Sequence, residues 1–340
     1  MRLNINSISQ FCAELGKDQL LVQGAGGNVS WKDGNTLWVK GSGTWLANAE
    51  VENIFVPVDL EMLALSISKG NFCVTPEPIR VSKLRPSIET ILHALMPQKI
   101  VIHLHAIYPL AFLVLRDAKT TFNKISGSLT WKSAFIEYFK PGSELAQAID
   151  IVIKKEKGIR ILFLRNHGIV LGGDSIREIH SMLESVLKAC SAMLTSVPSE
   201  SVGRLPDIPP RAVGKYQLFN DIGVQQLAQN VLFFDLLKSN WALYPDHVVF
   251  LGSRPFTYVS WEEFFMPHNG EQPSPDLIFI KSEGVFITKN FNLAKTAQLH
   301  CYYDVISRVV SATALNPLTE SDIGTLLNWD AEKLRQRIAV

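Results

Sequence analysis

The chain has 340 residues, more than one comfortable core holds and about right for two. Hydrophobic residues make up 47% and charged residues 19%, an ordinary globular balance. With 33 basic and 32 acidic residues the net charge is +1, so bulk electrostatics point to no nucleic-acid or membrane partner. The first residues, Met1 to Asn6, lack the apolar run of a signal peptide. There is also no uncharged apolar stretch of about 18 residues. Cys12, Cys73, Cys190 and Cys301 lie too far apart for a CxxC pair, which argues against a disulfide framework or a thiolate metal site. A soluble cytoplasmic protein is expected.

In chain order, Ile8 to Leu15 reads as a short helix. Asn28 to Lys40 reads as a β-hairpin around Asp33, Gly34 and Asn35, residues that tolerate positive φ. A glycine-rich stretch, Gly24 to Asn28, precedes the hairpin, and Gly41, Ser42 and Gly43 follow it. Its spacing matches neither a Walker loop nor a dinucleotide fingerprint. It forms either a tight turn or a nest of backbone N–H groups for an anion, with Asn28 and Ser42 adding polar contacts and Lys40 a charge. Ile88 to Met96 is a helix that stops at Pro97. Ile100 to His105 is a strand leading into another helix. Arg160 to Arg165 and Gly168 to Gly173 are two further strands, and Asp174 or Ser175 caps a long amphipathic helix reaching about Leu194. Ser196 to Pro210, rich in serine and proline, reads as a linker. The organisation expected is a domain over 1–197, a linker over 198–210 and a smaller α/β domain over 211–340.

The second part echoes the first. Leu162 to Leu171 aligns with Ile278 to Ile287 at a constant offset (278 − 162 = 116), and helix-like segments follow both. Pro97 to His105 can likewise be laid against Pro245 to Ser253. A degenerate copy then places Leu251, Ser253 and Glu283 where the first half has three histidines, a set unable to hold zinc.

His103 and His105 are the most informative pair. Side chains two apart on a strand project from one face, so two imidazoles can converge on one ion. The bland alternative is two ordinary polar residues. A third ligand has to come from elsewhere, and His167, at a strand–glycine junction, is the leading candidate. His93 reads as a structural hydrogen-bonding residue, His180 and His300 as ordinary residues of helices, while His247 and His268 lack ligand partners at metal spacing. Glu89 either complements the helix macrodipole or serves as an acid/base beside a bound substrate.

Five segments then stand in one order: GAGGNVS (Gly24 to Ser30), WVKGSG (Trp38 to Gly43), PSIETILH (Pro86 to His93), VIHLHA (Val101 to Ala106) and LRNHGIV (Leu164 to Val170). Together they resemble the class II aldolase/adducin family over about residues 5 to 195. Within it they are most similar to the aldolase region of bifunctional rhamnulose-phosphate aldolase/dehydrogenases. The resemblance implies a three-layer α/β/α fold with a largely antiparallel central sheet, where strand–helix alternation alone suggests a parallel one. It implies zinc on His103, His105 and His167, and proton transfer by Glu89. Phosphate binding falls to Gly26, Asn28, Ser42, Gly43 and Ser87, although Ile88 stands where members often carry a second hydroxyl residue. A metal with an open coordination position would act there as a Lewis acid. The implied activity is retro-aldol cleavage of a ketose 1-phosphate, rhamnulose- or fuculose-like, to dihydroxyacetone phosphate and an aldehyde by a homo-oligomer. A sugar-phosphate 4-epimerase, a dehydratase and a non-catalytic adducin-like binding module are the other readings.

Overall fold

The computed structural model describes residues 5–194, 208–266, 274–309 and 315–338. His268 and most of the expected linker lie outside them. The larger sheet has seven strands: β1 (Asn28–Asp33), β2 (Thr36–Lys40), β3 (Phe55–Asp59), β4 (Ile100–Leu104), β5 (Ser133–Ile136), β6 (Ile161–Leu164) and β7 (Gly168–Gly173). Their spatial order is β3-β2-β1-β4-β7-β6-β5. Every pairing is antiparallel except β5 with β6. The sheet is therefore largely antiparallel, as the resemblance implies and as plain strand–helix alternation does not.

Both faces of this sheet are covered, and the strands show it by alternating between two cores. Ile100, Ile102 and Leu104 of β4 join Ile161 and Phe163 of β6 and Ile169 and Leu171 of β7 in one cluster. The same cluster takes the apolar faces of helices Ile5–Lys17, Ile107–Leu113 and Ile176–Ser191. Val101, Leu162, Leu164 and Val170 point the other way, onto helices Thr90–Leu95 and Ser143–Lys155. The two-residue period of a strand thus puts His103 on the face shared with Val101, under the helix that Glu89 begins. Helix Ile5–Lys17 buries Ile8, Phe11, Cys12 and Leu15, an i, i+3, i+4, i+7 stripe. Each large apolar side chain of this kind contributes about 1.5–3 kcal/mol on burial. Ser175 caps helix Ile176–Ser191 by accepting from the Glu178 amide.

A second sheet has four strands: β8 (Gln217–Leu218), β9 (Thr257–Tyr258), β10 (Leu277–Ile280) and β11 (Gly284–Ile287), in the order β8-β11-β10-β9. It repeats the order and directions of β4-β7-β6-β5, with one parallel pair beside antiparallel ones. The hairpin turns agree in detail. Asn166 and Ser282 both take the left-handed conformation, at φ 52 and 61. Their amides donate to the carbonyls of Leu113 and Ala228, which close helices Ile107–Leu113 and Ile222–Gln229. Glu283 thus occupies the turn position of His167.

The alignment of Pro97–His105 with Pro245–Ser253 fails, however. Pro245–Leu251 is a helix, with proline at its start and every residue from Pro245 to Phe250 buried. A continuous apolar run fits a buried helix as well as a strand. The strand equivalent to β4 is β8, where Leu218 faces Phe286 as His103 faces Val170. Leu251 and Ser253 therefore do not stand in the histidine positions. One apolar core also runs through both halves, joining Ile102 and Phe163 to Val224, Leu227, Phe279 and Tyr302. Among the described residues, no helix is long and apolar enough to cross a membrane. All four cysteines are free thiols.

His247 does not face the histidine cluster. It is fully buried among the rings of Trp241, Tyr244 and Tyr302, and neither of its nitrogens has a hydrogen-bond partner among the described residues. Burial pushes its pKa down to about 3. Below the ordinary value of about 6.5 the unfolded chain binds a proton that the folded chain refuses, so stability should fall as pH drops from about 6.5 towards 3. The slope from this one group reaches about 1.4 kcal/mol per pH unit. His93, also buried and held well below its ordinary value by burial and then by His103, acts in the same direction. Urea unfolding of His247→Leu at pH 7.5, 6 and 5 should show a shallower loss than the parent chain. An unchanged slope would reject this account.

Candidate metal centre

One strand end, one turn and one helix start build the centre. His103 is the fourth residue of β4 and His105 lies just past its end, so both rings leave one face; their Nε2 atoms are 3.1 Å apart. His167 arrives on the β6–β7 turn. There the Asn166 conformation and the bond from the His167 amide to the Leu164 carbonyl reverse the chain. Gly168 is required at this turn: its φ is 155, and a Cβ there would lie 2.3 Å from the Leu104 carbonyl oxygen. That close approach of turn to strand brings the His167 ring within 4.7 Å of His103 and 5.3 Å of His105, centre to centre. One ligand atom from each of the three lies within 4.8 Å of the others, the one such group of His, Cys, Asp or Glu among the described residues.

Glu89 sits at the N-terminus of helix Thr90–Leu95 and caps nothing with its side chain. The macrodipole account alone leaves its position unexplained, because the carboxylate is buried against the histidines. Oε2 accepts from the Asn28 amide at 2.8 Å and lies 3.5 Å from His103 Nε2. Oε1 lies 3.5 Å from His167 Nε2 and has no hydrogen-bond partner among the described residues. Asn28 is there because β1 pairs it with His103 across the ladder. His93 donates to or accepts from Ser30 at 2.8 Å, a structural role.

The donor set fits a cation. The Nδ1 of His103 donates to the Ile169 carbonyl at 3.0 Å, and the Nδ1 of His105 faces Asp246 Oδ2 at 3.2 Å. With both rings neutral, their two Nε2 lone pairs then meet at 3.1 Å, an arrangement that needs a proton or a metal ion between them. A proton serves two nitrogens; a divalent ion serves all three. Burial lowers the pKa of His103, opposed by Glu89, and holds His167 well below its ordinary value with help from His103. Those two imidazoles are thus kept in the neutral form that metal binding requires.

The pocket in front of this cluster is lined by Asn28, Lys40, Ser42, Gly43, Ser87 and Glu89. Gly26 stands beside it, where a Cβ would lie 3.1 Å from His105 Nδ1. All five residues expected at a phosphate are therefore brought together. Lys40 is buried and spends its ammonium on the carbonyls of Ala25 and Thr44, tying the two glycine loops to each other. Burial, and then Arg335, push its pKa down to about 7. Sequence reasoning missed three residues that share the pocket: Asp246, Glu332 and Arg335. They come from helices Pro245–Leu251 and Asp330–Ile338, beyond the resembling segment. Only the pairing of buried opposite charges marks them, and that is invisible along the chain. Helix Asp330–Ile338 also closes the pocket: the Ile338 side chain packs where a Cβ on Gly43 would be, and the remaining cavity is about 30 Å³.

A family profile described as the class II aldolase and adducin N-terminal domain matches residues 6–194. An L-fuculose phosphate aldolase of Methanococcus maripaludis is 28% identical over 173 residues, covering 49% of this chain and 83% of that protein. Among solved structures, an N-terminal class II aldolase domain from Thermoplasma acidophilum is 24% identical with a TM-score of 0.47, covering 56% of this chain and 94% of that one. An L-fuculose-1-phosphate aldolase of Thermus thermophilus is 15% identical with a TM-score of 0.40, covering 57% and 95%. With more than half of its length matched by the family profile, this chain belongs to the class II aldolase and adducin family.

Proposed function

We propose that the chain is a zinc-dependent aldolase that cleaves a ketose 1-phosphate, of the rhamnulose or fuculose kind, to dihydroxyacetone phosphate and an aldehyde. The observation that carries this reading is the convergence of His103, His105 and His167 beside a buried carboxylate with one uncommitted oxygen. The similarity to L-fuculose phosphate aldolases supports the substrate class. His103, His105 and His167 hold the zinc through three neutral imidazoles. When bound, zinc supplies a Lewis acid for adjacent oxygens of the substrate.

Glu89 moves the proton. Asn28 anchors Oε2, which fixes the carboxylate plane and leaves Oε1 to give a proton to the substrate carbon in cleavage or take it in condensation. Gly26, Asn28, Ser42, Gly43 and Ser87 receive the phosphate, so binding energy remote from the reacting carbon fixes its distance from Glu89. Residues 1–197 form this lyase unit. Residues 211–340, after a linker at 198–210, are a degenerate copy that keeps the sheet order and the turn, has leucine opposite Phe286, and walls the pocket.

A cavity of about 30 Å³ holds little more than a water molecule, so a sugar phosphate needs helix Asp330–Ile338 to move aside. That closure favours a second reading, a non-catalytic adducin-like module. The two separate in one set of measurements on the full chain purified without chelator. The aldolase should carry about one zinc per chain and release dihydroxyacetone phosphate from at least one member of a ketose 1-phosphate panel. Isomerised or dehydrated products instead would identify a 4-epimerase or dehydratase. A chain with neither metal nor turnover is the binding module.

A further inference from the structure

Among the three histidines, His105 has a different kind of partner. The Nδ1 of His103 meets a neutral backbone carbonyl, and the Nδ1 of His167 has no hydrogen-bond partner among the described residues. The Nδ1 of His105 meets the carboxylate of Asp246, at 3.2 Å from Oδ2. Asp246 is itself held on both oxygens: Arg335 donates from Nη1 to Oδ1 at 2.6 Å and from Nη2 to Oδ2 at 2.7 Å. The three side chains are almost wholly withdrawn from solvent, with the His105 side chain 6% exposed, Asp246 3% and Arg335 11%. Space for the contact is made on the opposite side, where a Cβ on Gly26 would lie 3.0 Å from Asp246 Oδ2 and 3.1 Å from His105 Nδ1.

We infer that Asp246 is a positioning residue for the metal centre, and that Arg335 positions Asp246, so that the chain beyond residue 194 completes a centre whose ligands all lie before it. A neutral imidazole carries its proton on one nitrogen, and only the Nδ1–H tautomer leaves Nε2 to bind a metal. A carboxylate accepting from Nδ1 selects that tautomer, fixes the ring plane and makes Nε2 more basic. The carboxylate has to stay ionised and aimed while buried. Unpaired, it would be expensive to hold there; the two-pronged guanidinium both compensates its charge and sets its plane. Asp246 stands in the first turn of its helix, next in sequence to His247, which faces the aromatic core. One helical turn thus presents one residue to the centre and its neighbour to the packing that holds the helix. Through Arg335 the same contact ties down helix Asp330–Ile338, the element that closes the pocket.

The inference rests on the metal reading above, and the test separates the two. Zinc affinity of the full chain is measured by competition with a colorimetric chelator, for the parent and for Asp246→Asn. The substitution keeps the shape and removes the charge. Affinity should weaken by about 10- to 100-fold, the usual loss for an outer partner of a ligating histidine. Arg335→Gln should weaken it in the same direction. A parent chain that binds no zinc sinks the metal reading itself. A parent that binds zinc and an Asp246→Asn chain that binds it equally well overturns only the role of Asp246. Should Asp246→Asn fail to fold, the parent still decides. With ¹⁵N-labelled histidine and zinc bound, His105 should be protonated on Nδ1 and metal-bound through Nε2. A His105 protonated on Nε2 overturns the inference.

Discussion

Replacing Glu89 by glutamine should lower turnover about 10²- to 10⁴-fold while leaving the metal content at its parent value. Glutamine keeps the length and shape of the side chain, and its oxygen can still accept the 2.8 Å hydrogen bond from the Asn28 amide. It cannot give or take the proton. The carboxylate lies 3.5 Å from two of the three imidazoles, so loss of metal would be a rival cause of any loss of rate. Zinc content and rate therefore have to be measured on the same preparation. A variant with full metal and near-parent turnover on the true substrate would remove Glu89 from proton transfer.

His167→Ala should abolish stable metal binding, a larger loss than the roughly 10- to 100-fold expected when an outer partner is removed. The remaining pair, His103 and His105, offers two nitrogens 3.1 Å apart, which a proton can bridge as well as a metal can. The third imidazole is what favours an ion over a proton. In the parent chain, metal at 100 times its dissociation constant should add about 2.7 kcal/mol of stability. A chelator should therefore lower the parent's thermal midpoint and leave that of His167→Ala unchanged. If the variant keeps one tightly held ion per chain, the ligand set is wrong. Because the His167 backbone is held by a turn that its side chain does not help to form, the variant should fold.

Much of the fold of the first half was legible because its signals are local. The Asp33–Gly34–Asn35 turn, Pro97 after the helix, the Ser175 cap and the alternation within β4 each depend on neighbours in sequence. The repeated hairpin was legible for the same reason: a turn residue followed two places later by glycine recurs at Asn166 and Ser282. The failure at Pro245–Leu251 is instructive. Val248, Val249 and Phe250 look like a strand, but they are buried within a helix, and burial on all sides erases the periodicity that tells the two apart. Glu89 was ambiguous for a comparable reason. The same position suits a macrodipole partner and an acid/base, and the chain gives no sign that Oε1 would lie 3.5 Å from His167 Nε2.

By itself, the sequence determined most elements of the first half and the residue types of the site: two histidines in phase on a strand, a third beside a glycine, a glutamate at a helix start. These are short-range facts, set by backbone geometry and the two-residue period of a strand. The tertiary structure decided what those groups face. It brought the His167 turn against Leu104, which requires Gly168, and so made three separate imidazoles into one cluster. It also placed Asp246 and Arg335, residues 89 positions apart, as a buried ion pair against His105. No pattern along the chain announces such a pair, because the chain carries 33 basic and 32 acidic residues. Only exclusion of water makes one pair strong and directional, and exclusion of water is a property of packing.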